Sequence, residues 1–514
     1  MKSIEQDFLK TLITIKNNNF IDSQTHPYNV GLLIKNNGMK NGFIVLLACF
    51  FFWNGFSQEN VTFKSSDPAL QLAFERAKTM ALSYKGNPKD PVGSWYEAAL
   101  PSRSAFCMRD VAHQSIGATI LGLHEENKNM LSLFAQNISD SKDWCSYWEI
   151  NKYGKPAPED YRNDKEFWYN LNSNFDIIFA CWRLYLWTGD EAYIKNPEFE
   201  NFFEKSSNEY IDRWSLQADS LLTRPEFLNI PVPFNSKDDF HKCRGLASYS
   251  EGIPGLKMGV DLVAAIYRGL LTYSFILREK GELEKALFFE KKALKYQEQI
   301  EQIWWDQKAQ TYNIIYTADG KFSKDFGELF LLWFEALTDA DRTKKTIEHI
   351  LSEKSNVENA SYLPFLLYKY GYENKAYEYI LHLTALETKR REYPEVSYGV
   401  IEGIIHGCMG IEPNATKKTI TTLHRGKKES ISEVDNLPVL HTTLFVKHTN
   451  QTTLLHNKGK NRIQWKAMFR GNYTSITVNN KKVTAIREKD NNGNSYTFIT
   501  IPVAPDQKIT VSCH

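Results

Sequence analysis

From residue 66 to about 410 the chain repeats one texture, in which apolar residues recur every three or four positions and polar segments rich in Gly, Pro, Asn and Asp interrupt them. That period predicts helices, and the interruptions are turn chemistry. DPALQLAFERAKTMALSY, VAHQSIGATILGL, LKMGVDLVAAIYRGLLTYSFILREKG and YPEVSYGVIEGIIHGCMG are clear instances, and YNIIYTADGKF predicts a small hairpin between two of them. About twelve such helices follow one another, entered alternately by a long loop and a short one. Repeated helix pairs that cannot bury their apolar faces alone stack or close on themselves. The expected fold is therefore an all-α (α/α)6 toroid of six helical hairpins, its inner helices all starting at one face.

After residue 415 the texture changes to alternation, in HTTLFVKHTN, TSITVNNKKVTAI and NSYTFITIPV, with NNGN as a hairpin turn. Residues 415–514 are expected to form a small, sandwich-like β-domain packed against a catalytic toroid of residues 59–414. Ahead of them, MKNGFIVLLACFFFWNGFSQ has a lysine near its start, an apolar core and small or polar residues at its end. Residues 39–58 thus read as a signal peptide directing export to the periplasm or the exterior, and residues 1–38 as a non-native extension upstream of a start at Met39. The apolar stretch is well short of the roughly 20 residues of a spanning helix, so no stable membrane span is expected once the signal is removed.

With 42% hydrophobic and 13% aromatic residues in 514, the chain has material for a large core. A net charge of +1 supplies no field for nucleic acid, and none is expected as a partner. Six cysteines follow the signal, none in CxxC spacing, so no zinc site is expected; buried thiols are the default, with a disulfide open among Cys107, Cys145 and Cys243. No phosphate-binding glycine loop, Ser-His-Asp spacing or metal-ligand cluster stands out, and no cofactor is expected.

If alternate helices form the inner ring, the long loops share one mouth. They include WYEAALPSRSAFCMRD, WCSYWEINKYGKPAPEDYRNDKEFWYN, RGLASYSEGIPG and REYPEVSYG, rich in Trp, Tyr, Glu, Asp and Arg. Aromatic rings stack on the apolar faces of pyranoses while charged groups bind hydroxyls, so an oligosaccharide or polysaccharide is the expected partner. Trp95, Trp144, Trp148 and Trp168 are the candidate platforms, with Asp164 and Tyr249 beside them. Arg109 and Asp110 stand at the first turn of an inner helix, where Asp110 could equally serve only as a favourable charge on the helix terminus. Glycoside cleavage needs two carboxylates flanking the bond. Glu251 in SYSEG and Glu395 in YPEVSYG precede the third and sixth inner helices, with Glu149, Asp164, Glu97 and Glu328 as competitors.

The arrangement resembles the six-hairpin glycosidases, a group that includes glucoamylases, trehalases and bacterial α-L-rhamnosidases. MRD at Arg109 and Asp110 is similar to the Arg-Asp pair that binds sugar hydroxyls in the glucoamylase-like members. PEV at Pro394 to Val396 resembles the start of the last inner helix, and GVIEGIIHGCMGIEPNA the end of the catalytic domain. By that resemblance the acid falls on Glu251 and the base on Glu395, acting by inversion. The only Trp-Glu, Trp148 and Glu149, precedes the second inner helix, so Glu149 remains the other candidate acid. Two further readings stay open. One is a polysaccharide lyase using Tyr249, His241 or His113; the other is a glycan-binding protein without turnover.

Overall fold

Two kinds of helix alternate along the chain, and their burial shows why. The computed structural model describes residues 60–489 and 494–514, so the expected extension and signal peptide, and most of the NNGN turn, lie outside the described residues. Twelve main helices are α1 Pro68–Ser83, α2 Met108–Ile120, α3 His124–Gln136, α4 Ser173–Thr188, α5 Pro197–Ser207, α6 Val260–Glu279, α7 Leu283–Gln299, α8 Glu328–Trp333, α9 Ala340–Ser352, α10 Leu363–Lys369, α11 Glu373–Thr384 and α12 Pro394–Glu402. Even-numbered helices such as α4 and α6 are buried almost all round. Odd-numbered α7 buries only Ala286, Phe289, Ala293 and Tyr296, one stripe at spacings of three and four. The first kind forms the inner ring and the second the outer.

The ring closes where α12 meets α2. A Cβ on Gly117 would lie 2.3 Å from the Tyr398 carbonyl oxygen, so only glycine lets these backbones approach. Helix α1 then serves as the outer partner of α12 rather than of its sequence neighbour: the Tyr398 hydroxyl donates to the Ala81 carbonyl at 3.0 Å. Asp67 caps α1, accepting from the Ala69 and Leu70 amides at 3.0 and 3.2 Å ahead of Pro68 in the first turn. Six inner helices start at one face, which the long loops cover. Those loops are not wholly irregular, since they carry short strands such as Ala105–Cys107 and Glu149–Asn151, so an all-α description holds for the ring alone.

The remaining strands are β1 Thr62–Ser65, β2 Ile411–Asn414, β3 Thr419–Thr422, β4 Ser432–Val439, β5 Thr442–Thr449, β6 Thr452–Asn457, β7 Ile463–Arg470, β8 Ile476–Val478, β9 Lys481–Val483, β10 Ile486–Lys489, β11 Ser495–Val503 and β12 Lys508–Cys513. They build two sheets, ordered β1-β4-β5-β6-β12-β8-β9 and β2-β3-β7-β11-β10. The β3–β7 pair is parallel, and β10 with β11 frames the expected hairpin. Alternate residues Leu444, Val446, Leu455, Trp465 and Val511 are buried, as a half-buried sheet requires. Strand structure begins at Ile411 rather than 415, and the first sheet takes in Thr62–Ser65 from ahead of α1, so the sandwich is not built from the C-terminal residues alone. It meets the C-terminal ends of the inner helices: Trp187 Nε1 donates to the Pro438 carbonyl at 3.0 Å, and His448 Nε2 lies 3.0 Å from the Met409 carbonyl. The mouth is therefore at the other end. All six cysteines among the described residues are free thiols, five of them buried, and Cys107, Cys145 and Cys243 form no disulfide.

Candidate active site

Carboxylates open five of the six inner helices: Asp110 in α2, Asp176 in α4, Asp261 in α6, Glu328 in α8 and Glu395 in α12. Each gains from the positive end of its helix, but their surroundings separate their roles.

Asp110 is the centre of the group. Its carboxylate accepts from Arg109 Nε at 3.3 Å, and the Arg109 guanidinium lies 4.9 Å from the Tyr249 ring centroid. Burial raises the Asp110 carboxyl above its ordinary range against the pull of Arg109. Strand pairing brings in Glu149, because Glu149 sits opposite Cys107, the residue just before α2, and the Met108 amide donates to the Trp148 carbonyl at 2.9 Å. Burial, then a bond and charge from Asp160, pushes the Glu149 carboxyl up; Arg103 Nη2 is 3.0 Å from Glu149 and 2.9 Å from Asp160, one cation shared by two acids. Glu395, held by Pro394 in the first turn of α12, is raised well above a normal carboxyl by burial and then by the Asp110 charge. Glu251 is open to solvent at the rim yet crowded by the loops, and that partial desolvation raises its pKa, with Arg109 opposing and Asp110 adding. Glu149, Glu251 and Glu395 thus all feel the same aspartate. One oxygen each of Glu149 and Glu395 is buried without a hydrogen-bond partner among the described residues.

The other expected residues divide. Tyr249 belongs to the group: its hydroxyl donates to Asp176, and burial holds the phenol protonated. Trp148 is buried edge-on to Tyr169, with ring centroids 6.2 Å apart. Trp168 is half-buried, its indole N–H given to Asn170 at 3.1 Å, and the Asn170 amide in turn donates to the Ser248 carbonyl in the loop that carries Glu251. Trp95 is not available as a platform. It is 5% exposed, packed on Phe106, with its N–H bonded to Asp90 at 2.7 Å. Asp164 belongs to another cluster, bonded by the Tyr161 hydroxyl at 2.5 Å beside Lys142 and Lys165. Glu328 pairs with His349 at 2.7 Å, and Glu97 accepts from the Ser104 amide at 2.8 Å. His241 is taken up by Glu166 at 2.9 Å and by the Asn235 amide, while burial lowers His113 to about 3.

Three residues of this group escape the sequence reading. Asp176, pushed up to about 8 by burial, faces Arg109 and Asp110; it occupies the helix-start position of Asp110, which was the available signal. Tyr362 and Arg103 lie in loops with no pattern to single them out. Asp261 opens its helix too but is saturated by the Tyr249 amide at 2.6 Å, Ser248 Oγ at 2.8 Å and Asn172 Nδ2 at 3.0 Å, and so anchors the loop before Glu251.

No family model and no curated sequence matches the chain. Solved structures do. The GH78 family rhamnosidase of Bacillus sp. GL1 aligns with TM-score 0.54 at 12% identity, over 77% of this chain and 40% of that one. An α-L-rhamnosidase from Dictyoglumus thermophilum gives 0.56 at 12% over 88% and 50%, and a putative kojibiose phosphorylase from human microbiome 0.50 at 10% over 87% and 68%. The chain has the six-hairpin (α/α)6 toroid fold. It spans half or less of the length of the two rhamnosidases, and identities this low speak for fold alone.

Proposed function

We propose that this protein is a carbohydrate-active enzyme that cleaves glycosidic bonds with a pair of carboxylates set around Arg109 and Asp110. The observation that carries the reading is the convergence of Glu149, Glu251 and Glu395, from three separate stretches of chain, on one aspartate. Arg109 and Asp110 would hold the hydroxyls of the sugar being cleaved, a charged fork that also accepts a uronate.

Glu251, at the rim, would protonate the leaving oxygen, and Glu395, on the opposite side of the ring, would activate water. Third and sixth positions in a ring of six are diametrically opposed. That placement favours the wider carboxylate separation and inversion. Arg109 offsets one negative charge, so Glu395 can act as base only when Asp110 carries the proton or has its charge damped by hydrogen bonds accepted from the sugar hydroxyls. The stronger upward shift of Glu395 favours a second assignment, in which Glu395 or Glu149 is the acid. Export of the chain translated from Met39, with residues 39–58 removed as the signal, belongs to the same proposal, and N-terminal sequencing of the secreted protein tests it.

The test is mass spectrometry of products from a plant and microbial oligosaccharide panel, for the wild type and for Glu251→Gln, Glu395→Gln and Glu149→Gln. Hydrolysis lost in the first two and kept in the third supports the first assignment. An acid variant recovers on aryl glycosides with good leaving groups, which need no proton; a base variant does not. Unsaturated products would replace the reading by a lyase, and saturable binding without turnover by a glycan-binding protein.

A further inference from the structure

At the far end of the ring from the mouth lies a cavity of about 320 Å³, where the sandwich covers the C-terminal ends of the inner helices. Its walls are aromatic, with Phe179, Trp182, Trp333 and Phe365 from α4, α8 and α10. On the ring side, Trp333 in its wall packs edge-on against His113 and Tyr362, which are stacked on each other at 3.5 Å.

Among these rings stand four permanent cations, Arg183, Arg268, Lys369 and Arg425, facing two lining carboxylates, Glu335 and Glu412. Glu335 is shared by Arg268 and Lys369, and Arg183 rests on Glu402 beneath the cavity. That leaves Arg425, which donates to the Gly407 carbonyl at 3.0 Å and has no carboxylate within ion-pair distance among the described residues. Arg183 stands in the same wall: its side chain is nine-tenths buried, its guanidinium lies 4.5 Å from the Trp333 ring, and its shielded Nη1 has no hydrogen-bond partner among the described residues. A buried guanidinium nitrogen without an acceptor is costly, and with Glu402 included the site still carries one positive charge in excess.

We propose that this cavity binds one small organic anion, a ring or compact apolar body carrying a carboxylate or phosphate, with the anionic group between Arg425 and Arg183 and the body against the aromatic walls. One such group cancels the excess charge and gives Arg425 the anionic partner it lacks. Since Glu412, Pro413, Asn414 and Arg425 come from the sandwich and the other walls from the ring, the ligand would tie the two together. The proposal does not rest on the reading of the mouth.

Tryptophan fluorescence of the full chain is the readout, because Trp182, Trp187 and Trp333 line the cavity. Titration with D-glucuronate, D-glucose 6-phosphate and benzoate is compared with inorganic phosphate and D-glucose, which supply the anion or the ring alone. A saturable change with at least one of the first three, at least tenfold weaker with phosphate and glucose, is expected. Arg425→Gln should weaken it at least tenfold and Arg425→Lys less, while Arg109→Gln, at the mouth, leaves it intact. Should Arg425→Gln fail to fold, Lys369→Gln takes its place with the same expectation. No saturable change with any of the three anions, equal binding of glucose, loss with Arg109→Gln, or binding unaltered by the cavity variants would each overturn the proposal.

Discussion

His113 lies face to face on Tyr362, with ring centroids 3.5 Å apart and planes 12° from parallel, and its Nε2 is 2.9 Å from Ser361 Oγ. These two residues join the first and fifth inner helices directly below the Arg109–Asp110 pair. Burial holds His113 neutral, with its pKa lowered to about 3 from 6.5. Between those values the unfolded chain takes up a proton that the folded one refuses, so this residue makes stability fall as pH drops from about 6.5 to 3 and has no effect above that window. The expected outcome is that His113→Gln shows a shallower loss of stability than the wild type across this range, by a few kcal/mol at the acid end. Urea unfolding at several pH values measures it.

Asp176 works in the opposite direction. Its pKa stands at about 8, against 3.8 when exposed, so the folded protein keeps a proton that the unfolded chain releases, and stability falls as pH rises from about 4 to 8. Asp176→Asn keeps an acceptor for the Tyr249 hydroxyl and removes that linkage. The variant is expected to be more stable than the wild type at pH 8, equal to it near pH 4, and less active, because an amide replaces the ionisable mouth carboxyl facing Arg109. Thermal melts at the two pH values, with turnover on the best panel substrate, check both halves.

How far the sequence revealed this arrangement depended on what each residue packs against. Inner helices such as Val260–Glu279 are apolar on every side and outer ones such as Leu283–Gln299 on one stripe, so the ring was legible from periodicity. Position in that ring then brought Glu251 and Glu395 to the same mouth. Strand Thr62–Ser65 was not legible, because it has only 4 residues and its partner, Ser432–Val439, lies at the other end of the chain. Trp95 misled for a related reason: a loop aromatic looks like a platform unless one knows that Asp90 and Phe106 take up its N–H and its face. Asp176 sits inside the apolar run NFDIIFACW, where its neighbours are core and only its helix-start position marks it.

Gly117 is expected to be intolerant of any side chain. Its missing Cβ leaves room for the Tyr398 carbonyl, a backbone atom that cannot rotate away, and Tyr398 is itself fixed by its bond to Ala81 in α1. Alanine there would push α12 from α2 at the seam of the ring and move Glu395 away from Asp110. Gly117→Ala should cost about 3 kcal/mol, the upper end for an added methyl in a packed core, and should lower turnover more than substrate affinity. Gly122, where a Cβ would meet nothing within 4 Å but φ is +87°, is the control: alanine there strains a turn without touching the seam. Denaturant melts and kcat against KM for the two variants separate a seam effect from a general one.

Asp110→Asn tests the electrostatic core of the site. The Asp110 charge raises the pKa of Glu149, Glu251 and Glu395 alike, so removing it makes all three easier to ionise, and the freed Arg109 cation pulls in the same direction. Both limbs of the pH profile of kcat/KM should therefore move to lower pH. At the optimum the rate should fall about 10- to 100-fold, the loss of one charged hydrogen bond to a sugar hydroxyl. A fall in rate with unmoved limbs would mean that Asp110 binds substrate without tuning its neighbours. Shifted limbs with an unchanged rate at the new optimum would mean the reverse, that its charge sets the ionisation of the acids while the hydroxyls are held elsewhere.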